Sequence, residues 1–135
     1  MKEFIVKIVT PDGELFNGEA KSILVKTTDG DVQILRAHAD FLAPLGVGKA
    51  KLTLSDGTER TASAAGGFIL VSEGEAKVVA TTFEFSDAID IERAKRAKEK
   101  AEKLLSSAKT ETEIDIAKAK LARALSRISV KESSK

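Results

Sequence analysis

Three arginines and one aspartate in the last third of the chain have the spacing of an anion-binding site. Arg123 and Arg127 are four residues apart, so both side chains project from one face of a helix. An antiparallel hairpin that turns near residue 109 would bring Asp90 and Arg93 level with that pair. Planar guanidinium groups bind phosphate through paired hydrogen bonds. The spacing therefore predicts an anion site at the open end of a folded hairpin.

A second interpretation of these charges needs no ligand. The helix dipole favours cations near a helix C-terminus and acids near an N-terminus, which is where a hairpin would place them. Asp90 would then simply bridge one of the arginines. From the sequence both interpretations, an anion site and a set of helix-end charges, stay open.

His38 is the only histidine and the only other candidate for chemistry. A hydrolase would pair it with Asp31 or Asp40 as a general base, but no serine elbow and no phosphate-loop motif accompanies it. The chain has no cysteine, which excludes disulfides, thiolate zinc sites and cysteine nucleophiles. We predict no catalytic site and no metal site, and a small hydrolase using His38 remains the alternative.

The charge distribution divides the chain in two. Residues 87–135 contain 13 Lys and Arg against 9 Asp and Glu, whereas the preceding residues contain 9 against 12. The formal net charge of +1 argues against nucleic acid as a partner. No apolar run reaches the roughly 18 residues of a membrane-spanning helix, so we expect no direct membrane insertion. The first residues have a strand pattern rather than that of a targeting leader, which favours an intracellular protein.

Residues 1–85 have the pattern of a β-domain. Asp-Gly turns at residues 12–13, 29–30 and 56–57 separate short apolar runs. Strands at intervals of roughly ten residues are typical of a sandwich or barrel. The apolar run at residues 77–83 is its predicted last strand.

Residues 86–135 have a helical composition, with neither Gly nor Pro. Ser86 or Asp87 is the expected cap of a first helix, and Thr110 with Glu113 is an expected capping box of a second. Two helices of similar length with a short connector predict an antiparallel hairpin.

Small apolar residues recur at spacings of three and four along both predicted helices. An alanine seam allows close approach of the two backbones but buries little apolar area. The hairpin is therefore either an arm that docks and detaches or an appendage packed permanently on the β-domain. The seam consists of Ala94, Ala97, Ala101, Leu104 and Ala108 in the first helix and Ile114, Ala117, Leu121, Ala124 and Ile128 in the second.

Four segments follow the motifs of one known family in order. Residues 30–39, GDVQILRAHA, resemble its Gly-(acid)-x-Gly-Ile-Leu-Pro-Gly-His-Ala segment, with Arg-Ala in place of Pro-Gly. Residues 66–71, GGFILV, resemble a Gly-Gly-x-x-x-Val segment, and residues 89–94, IDIERA, match an Ile/Leu-Asp-x-x-Arg-Ala motif. Residues 122–128, ARALSRI, resemble an Arg-Ala-x-x-Arg-Leu motif. Together these segments resemble the epsilon subunits of bacterial F-type ATP synthases.

The resemblance implies an α+β protein and its partners. Residues 1–85 would form an antiparallel β-sandwich of about ten strands that binds the gamma subunit and the ring of membrane c subunits. Residues 86–135 would form a C-terminal antiparallel two-helix hairpin that contacts the alpha and beta subunits when extended and then inhibits ATP hydrolysis. The protein would be a non-catalytic regulatory subunit, peripheral at the cytoplasmic face of the bacterial cell membrane.

The resemblance also assigns site residues. Asp31 is expected near the ring contact and His38 in the same interface region, and Glu84 falls where an adenine contact occurs in nucleotide-binding members. ATP would be a regulatory ligand rather than a required cofactor. A free-standing adenine-nucleotide sensor is the alternative function. The expected nucleotide-binding residues are Glu84, Ile89, Asp90, Arg93, Arg123 and Arg127.

Overall fold

A computed structural model describes residues 3–133 of the chain. Strands occupy its first part, a 3-10 turn follows at Ser86–Ala88, and two α-helices complete it, which confirms the predicted α+β organisation. The strands are β1 Phe4–Thr10, β2 Gly13–Thr27, β3 Gly30–Leu35, β4 Phe41–Pro44, β5 Val47–Leu54, β6 Glu59–Ser72 and β7 Glu75–Phe85, and the helices are α1 Ile91–Ser107 and α2 Glu111–Ser133.

The strands pair in a closed circuit. The order of neighbours is β1-β7-β6-β5-β2-β3, and β1 also pairs with β2, so that β1, β7, β6, β5 and β2 form a ring. β4 pairs with β6 outside this ring. All pairings are antiparallel except that of β1 with β7, which is parallel. Closure leaves few unpaired strand edges, which protects the domain from edge-to-edge association.

Long strands explain why the sandwich has seven strands where about ten were expected. The first half of β2 pairs with β1 and its second half with β3, and its pairing with β5 has a register shift between Ala20 and Ser22. β6 pairs with β5 along its first half and with β4 along its second half. Each of these strands therefore contributes to the sheet twice, as two shorter strands would.

The core of the sandwich is mainly aliphatic, although Phe4, Phe83 and Phe85 are also buried in it. Its largest fully buried side chains include Ile8, Ile23, Ile34, Leu52 and Ile69. A fully buried aliphatic side chain of this size contributes roughly 1.5–3 kcal/mol to the transfer free energy. The sandwich therefore has its own core, independent of the helices.

The first half of β6 is covered on both faces. Ala62, Ser63, Ala64 and Ala65 are all buried, although consecutive side chains of a strand point to opposite faces. Ala62 and Ala64 belong to the core cluster of the sandwich. The other face is covered by α2, which packs against β5 and β6. The helical hairpin, hereafter the arm (residues 91–133), is thus folded against the sandwich.

The connection between the helices has the predicted position and chemistry. Glu113 N donates to Thr110 Oγ1 at 3.1 Å, and Lys109 N donates back to Glu113 Oε2 at 3.5 Å. The first bond is the one expected of a capping box, whereas the return bond comes from Lys109, the residue before the cap, and not from Thr110 itself. The turn lies between Ser107 and Glu111, centred on residue 109.

The alanine seam is present, with one difference from its predicted course. Ala94, Ala101, Ala117 and Ala124 are buried between the packed elements. The prediction that Leu104 continues the seam is wrong, because that side chain is exposed. The half-buried residue is Leu105, four positions after Ala101 rather than three.

Two consecutive glycines with positive φ, Gly66 and Gly67, lie at the middle of β6 and generate a test of this fold. A Cβ at Gly67 would lie 1.9 Å from the carbonyl oxygen of Val79 on β7. Gly67→Ala should therefore lower the free energy of unfolding by about 3 kcal/mol or more, measured by urea denaturation.

Gly74→Ala is the matched control for this substitution. Gly74 also has a positive φ, +78°, but a Cβ there would meet no atom within 4 Å. Only backbone strain would remain, so Gly74→Ala should lower the free energy of unfolding by about 1 kcal/mol. Equal losses in the two variants would contradict the close approach of β6 to β7.

Candidate functional site

A cleft of about 460 Å³ lies where the sandwich meets the arm. Its walls come from the β1–β2 turn, the last part of β7, the 3-10 turn, the first turns of α1 and one residue of α2. The cleft therefore exists only when the β1–β2 turn, the end of β7 and the arm come together.

The structure brings five of the six predicted nucleotide-binding residues to this cleft. Those that line it are Glu84, Ile89, Asp90, Arg93 and Arg127. The sixth, Arg123, lies one helical turn before Arg127 on α2 and is half-buried, but it is not part of the lining.

Asp90, one of the residues that line the cleft, has a structural role. Its Oδ1 accepts a hydrogen bond of 3.1 Å from the backbone N–H of Arg93, which makes Asp90 the N-cap of α1. The expectation that Ser86 or Asp87 caps this helix is wrong, because both lie in the 3-10 turn, which has no side-chain cap. α1 therefore begins inside the cleft.

Arg127 and Glu84 form an ion pair across the two domains. Nε of Arg127 donates to Oε1 of Glu84, and the two side chains are 26% and 37% exposed. Partial burial strengthens such a charge-assisted hydrogen bond relative to one in water. Glu84, assigned by resemblance to an adenine contact, thus faces an arginine in this structure.

Arg93 is the available cation of the cleft. Within residues 3–133 its exposed guanidinium makes no hydrogen bond and no ion pair, whereas that of Arg127 is engaged. A planar donor group without a partner can bind an anionic oxygen at little cost in lost contacts. The structure therefore contains one engaged and one available arginine at the site.

The cleft as a whole is not strongly basic. Its two arginines are accompanied by three carboxylates, those of Asp12, Glu84 and Asp90. Leu15, with 45% of its surface exposed, adds an apolar wall. A flat, partly apolar group with a short anionic tail fits this combination better than a bare polyanion does.

The sequence analysis missed the wall formed by the β1–β2 turn. Thr10, Asp12 and Leu15 line the cleft, although the sequence marks this region only as a turn. The turn itself is local, but its position beside α1 follows from the long-range pairing of β1 with β7. In the sequence, only the apolar Leu15 beside this polar turn could have indicated that the turn lines a site.

Asp31 and His38 lie apart from the cleft. Asp31 is exposed at the start of β3. His38 follows Ala37, whose φ of 65° is the left-handed conformation that suits the glycine found there in the resembled family. The His38 ring contacts the Phe41 ring edge-on, with 5.7 Å between the ring centroids. Its Nδ1 lies 2.6 Å from the carbonyl oxygen of Ala39.

The described residues show no acid–base pair around His38, since no hydrogen bond joins its ring to Asp31 or Asp40. Within residues 3–133 no cluster of three or more His, Cys, Asp or Glu side chains has the arrangement of a metal site. None of the helices in this range combines the length and apolar character needed to cross a membrane.

The chain matches two family descriptions that together cover nearly all of it. Residues 3–86 match "ATP synthase, Delta/Epsilon chain, beta-sandwich domain", and residues 87–132 match "ATP synthase, Delta/Epsilon chain, long alpha-helix domain". In solved structures it is similar to a chain of the mitochondrial ATP synthase of Euglena gracilis, with a TM-score of 0.78 and 20% identity over 98% of this chain and 81% of that one. That likeness supports the fold.

Curated relatives of similar length are more alike in sequence. The chain is 40% identical to an ATP synthase epsilon chain of Ruminococcus albus, over 96% of this chain and 97% of that one. It is 39% identical to the corresponding chain of Halalkalibacterium halodurans, over 93% of this chain and 94% of that one. Both domains, in the same order and over the same length, are thus shared, and the chain belongs to the family of ATP synthase epsilon chains.

Proposed function

We propose that the chain couples the central stalk of ATP synthase to its membrane ring and restrains ATP hydrolysis through the arm. Members of this family are non-catalytic stalk subunits. The observation that carries the proposal is the architecture: a sandwich with its own core, and an arm that packs on it mainly through α2. One domain can hold partners while the other moves.

The sandwich is the proposed assembly domain. On the outer faces of β4 and β6, Leu42, Phe68 and Leu70 are exposed by 66%, 40% and 36%. Leu42 is directly opposite Leu70 in the register. An apolar face of this kind is stabilised when a partner covers it. We assign this face to contact with the gamma subunit, and His38 to the same interface region as Asp31.

Asp31 is the proposed contact with the ring of c subunits. It is exposed at the start of β3, where a carboxylate can meet a polar partner surface without being buried unpaired. Contact with the ring would place the protein peripherally at the cytoplasmic face of the bacterial membrane. The similar Tetrahymena thermophila structure is described as central stalk and c-ring, with a TM-score of 0.68 and 16% identity.

The arm is the proposed inhibitory element. Residues 87–135 carry 13 basic against 9 acidic side chains, so an extended arm would be attracted to an acidic surface of the alpha and beta subunits. Of the two helices, α2 makes the main contact with the sandwich, so undocking the arm uncovers chiefly one helix face. The folded state described here would be the state that does not inhibit.

The cleft is the proposed site of ATP, acting as a regulatory ligand. The base would lie against Leu15 and Ile89, and Arg93 and Arg127 would contact phosphate oxygens. Arg123, one turn away on α2, would reach only phosphates that project beyond the lining. Since β7, α1 and α2 all contribute, a bound nucleotide would stabilise the folded arm by mass action.

Calorimetry of the isolated chain should detect ATP binding of modest affinity. Two or three charge-assisted hydrogen bonds of about 1.5–3 kcal/mol each correspond to a dissociation constant in the micromolar to millimolar range, roughly 4–8 kcal/mol. Arg93→Ala and Arg127→Ala should each weaken binding about tenfold or more, and Arg123→Ala should weaken it less. Arg96→Ala, an exposed arginine of α1 outside the cleft, is the control. Absence of heat with millimolar ATP would rule out the site.

Deletion of residues 87–135 should separate assembly from inhibition. The sandwich strands end at Phe85 and the core cluster lies within them, so the truncated chain should still bind the gamma subunit. Hydrolysis by the reconstituted complex should rise, because the inhibitory element is absent. Hydrolysis unchanged by the deletion would show that the arm does not inhibit.

Asp31→Lys provides the complementary variant for the same reconstitution. It should lower proton pumping per ATP hydrolysed and leave inhibition by the arm in place, because it alters only the proposed ring contact. Asp29→Lys, in the turn just before β3, makes the same charge change at an exposed neighbour. If both variants pump as many protons per ATP as the parent, Asp31 is not part of the interface.

A further inference from the structure

Within residues 3–133, three polar contacts hold the arm against the sandwich and the 3-10 turn after it, one of them from Lys131 Nζ of α2 to the carbonyl oxygen of Ser86 at 3.0 Å. Ser63 Oγ and Ser126 Oγ are 2.8 Å apart, and Glu84 is bonded to Arg127. Ser63 and Glu84 are register partners on β6 and β7, and Ser126 and Arg127 are consecutive on α2. Two neighbouring sandwich residues therefore hold two neighbouring arm residues.

Of these three contacts, the ion pair has the greatest influence on the position of the arm, because it alone joins two charged groups. The hydroxyl pair is neutral, whereas a hydrogen bond between charged groups contributes about twice as much. Undocking the arm would return both charges to water, but the partly buried position makes their attraction stronger than that of an exposed pair.

We propose that Glu84 is an internal counter-ion that holds the arm folded when the cleft is empty, and that the Glu84–Arg127 pair is a ligand-independent latch. The inference rests on the proposed function only in taking the arm to be mobile. Arg127 lines the cleft with Glu84, so a bound anion competes with Glu84 for the same guanidinium. The arm then has two alternative means of staying folded, one internal and one supplied by the ligand.

Because Glu84 and a bound anion compete for Arg127, loss of Glu84 should have a specific effect. Without its carboxylate, Arg127 has no internal partner at this position, so the folded state depends on an anion from solution. Glu84→Gln should therefore make folding of the arm more sensitive to ATP. In the parent chain the latch already favours the folded arm, so added ATP should shift its position less than it does in Glu84→Gln.

The rate of thiol labelling at position 63 tests the latch in the full chain. The natural sequence has no cysteine, and Ser63 is 6% exposed beneath Ser126, so a reagent reaches Ser63→Cys only when the arm lifts. In that background and without nucleotide, Glu84→Gln should speed labelling about tenfold, the effect of losing one charge-assisted hydrogen bond. Less than a twofold change would overturn the latch.

Two further variants make the test specific. Glu75→Gln breaks a similar pair on the same strand, that of Glu75 with Lys7 at 3.4 Å, but within the sandwich, and should leave the labelling rate unchanged. The charge swap Glu84→Arg with Arg127→Glu should restore slow labelling without restoring ATP binding. Labelling that stays fast in the swap would contradict the latch, and equal acceleration by Glu75→Gln would show that labelling follows general destabilisation.

The latch and the nucleotide site can fail separately. Calorimetry that finds no ATP binding, together with fast labelling in Glu84→Gln and slow labelling in the charge swap, would support the latch and refute the ligand. ATP binding with unchanged labelling in Glu84→Gln would refute the latch and support the ligand.

Discussion

Coverage of β6 on both faces is the constraint on which the rest of the structure depends. Ala62 and Ala64 pack into the sandwich core, while Ser63 on the opposite face meets Ser126 of the arm. Only small side chains fit where two layers close on a single strand. The same small side chains limit the apolar area that holds the arm. Close packing and weak attachment therefore have one cause, and an arm that is ordered when docked can still be released.

The candidate site exists only while that contact is made. Glu84 belongs to the sandwich, Arg93 to α1 and Arg127 to α2, so the cleft is divided when the arm leaves. A ligand that touches all three elements must favour the folded state by its difference in affinity. The Glu84–Arg127 pair also favours the folded state, but without a ligand. The position of the arm then depends on whether Arg127 is bound to the carboxylate of Glu84 or to an anion from solution.

Local features of this fold were predictable from sequence, and long-range ones were not. The capping box of Thr110 and Glu113 and the turn at residue 109 depend on neighbours within four positions, and both were predicted correctly. The placement of Arg93 and Arg127 in one cleft followed from the geometry of a hairpin, whereas Arg123 lies outside the lining. The pairing of Glu84 with Arg127 spans 43 residues, and Asp12 joins the cleft through the pairing of β1 with β7. Neither has a local signal, since both depend on how the arm sits on the sheet.

Hydrogen exchange resolved by residue in the full, unliganded chain tests most directly whether the arm is a separable unit. Amides of α1 and α2 should exchange through local undocking, at least about 100-fold faster than core amides of β1 and β7, which need global unfolding. The faster group should include the amides around Ala117 and Ala124, although these side chains are buried. Equal protection in helices and core strands would mean one cooperative unit, and would contradict an arm that docks and detaches.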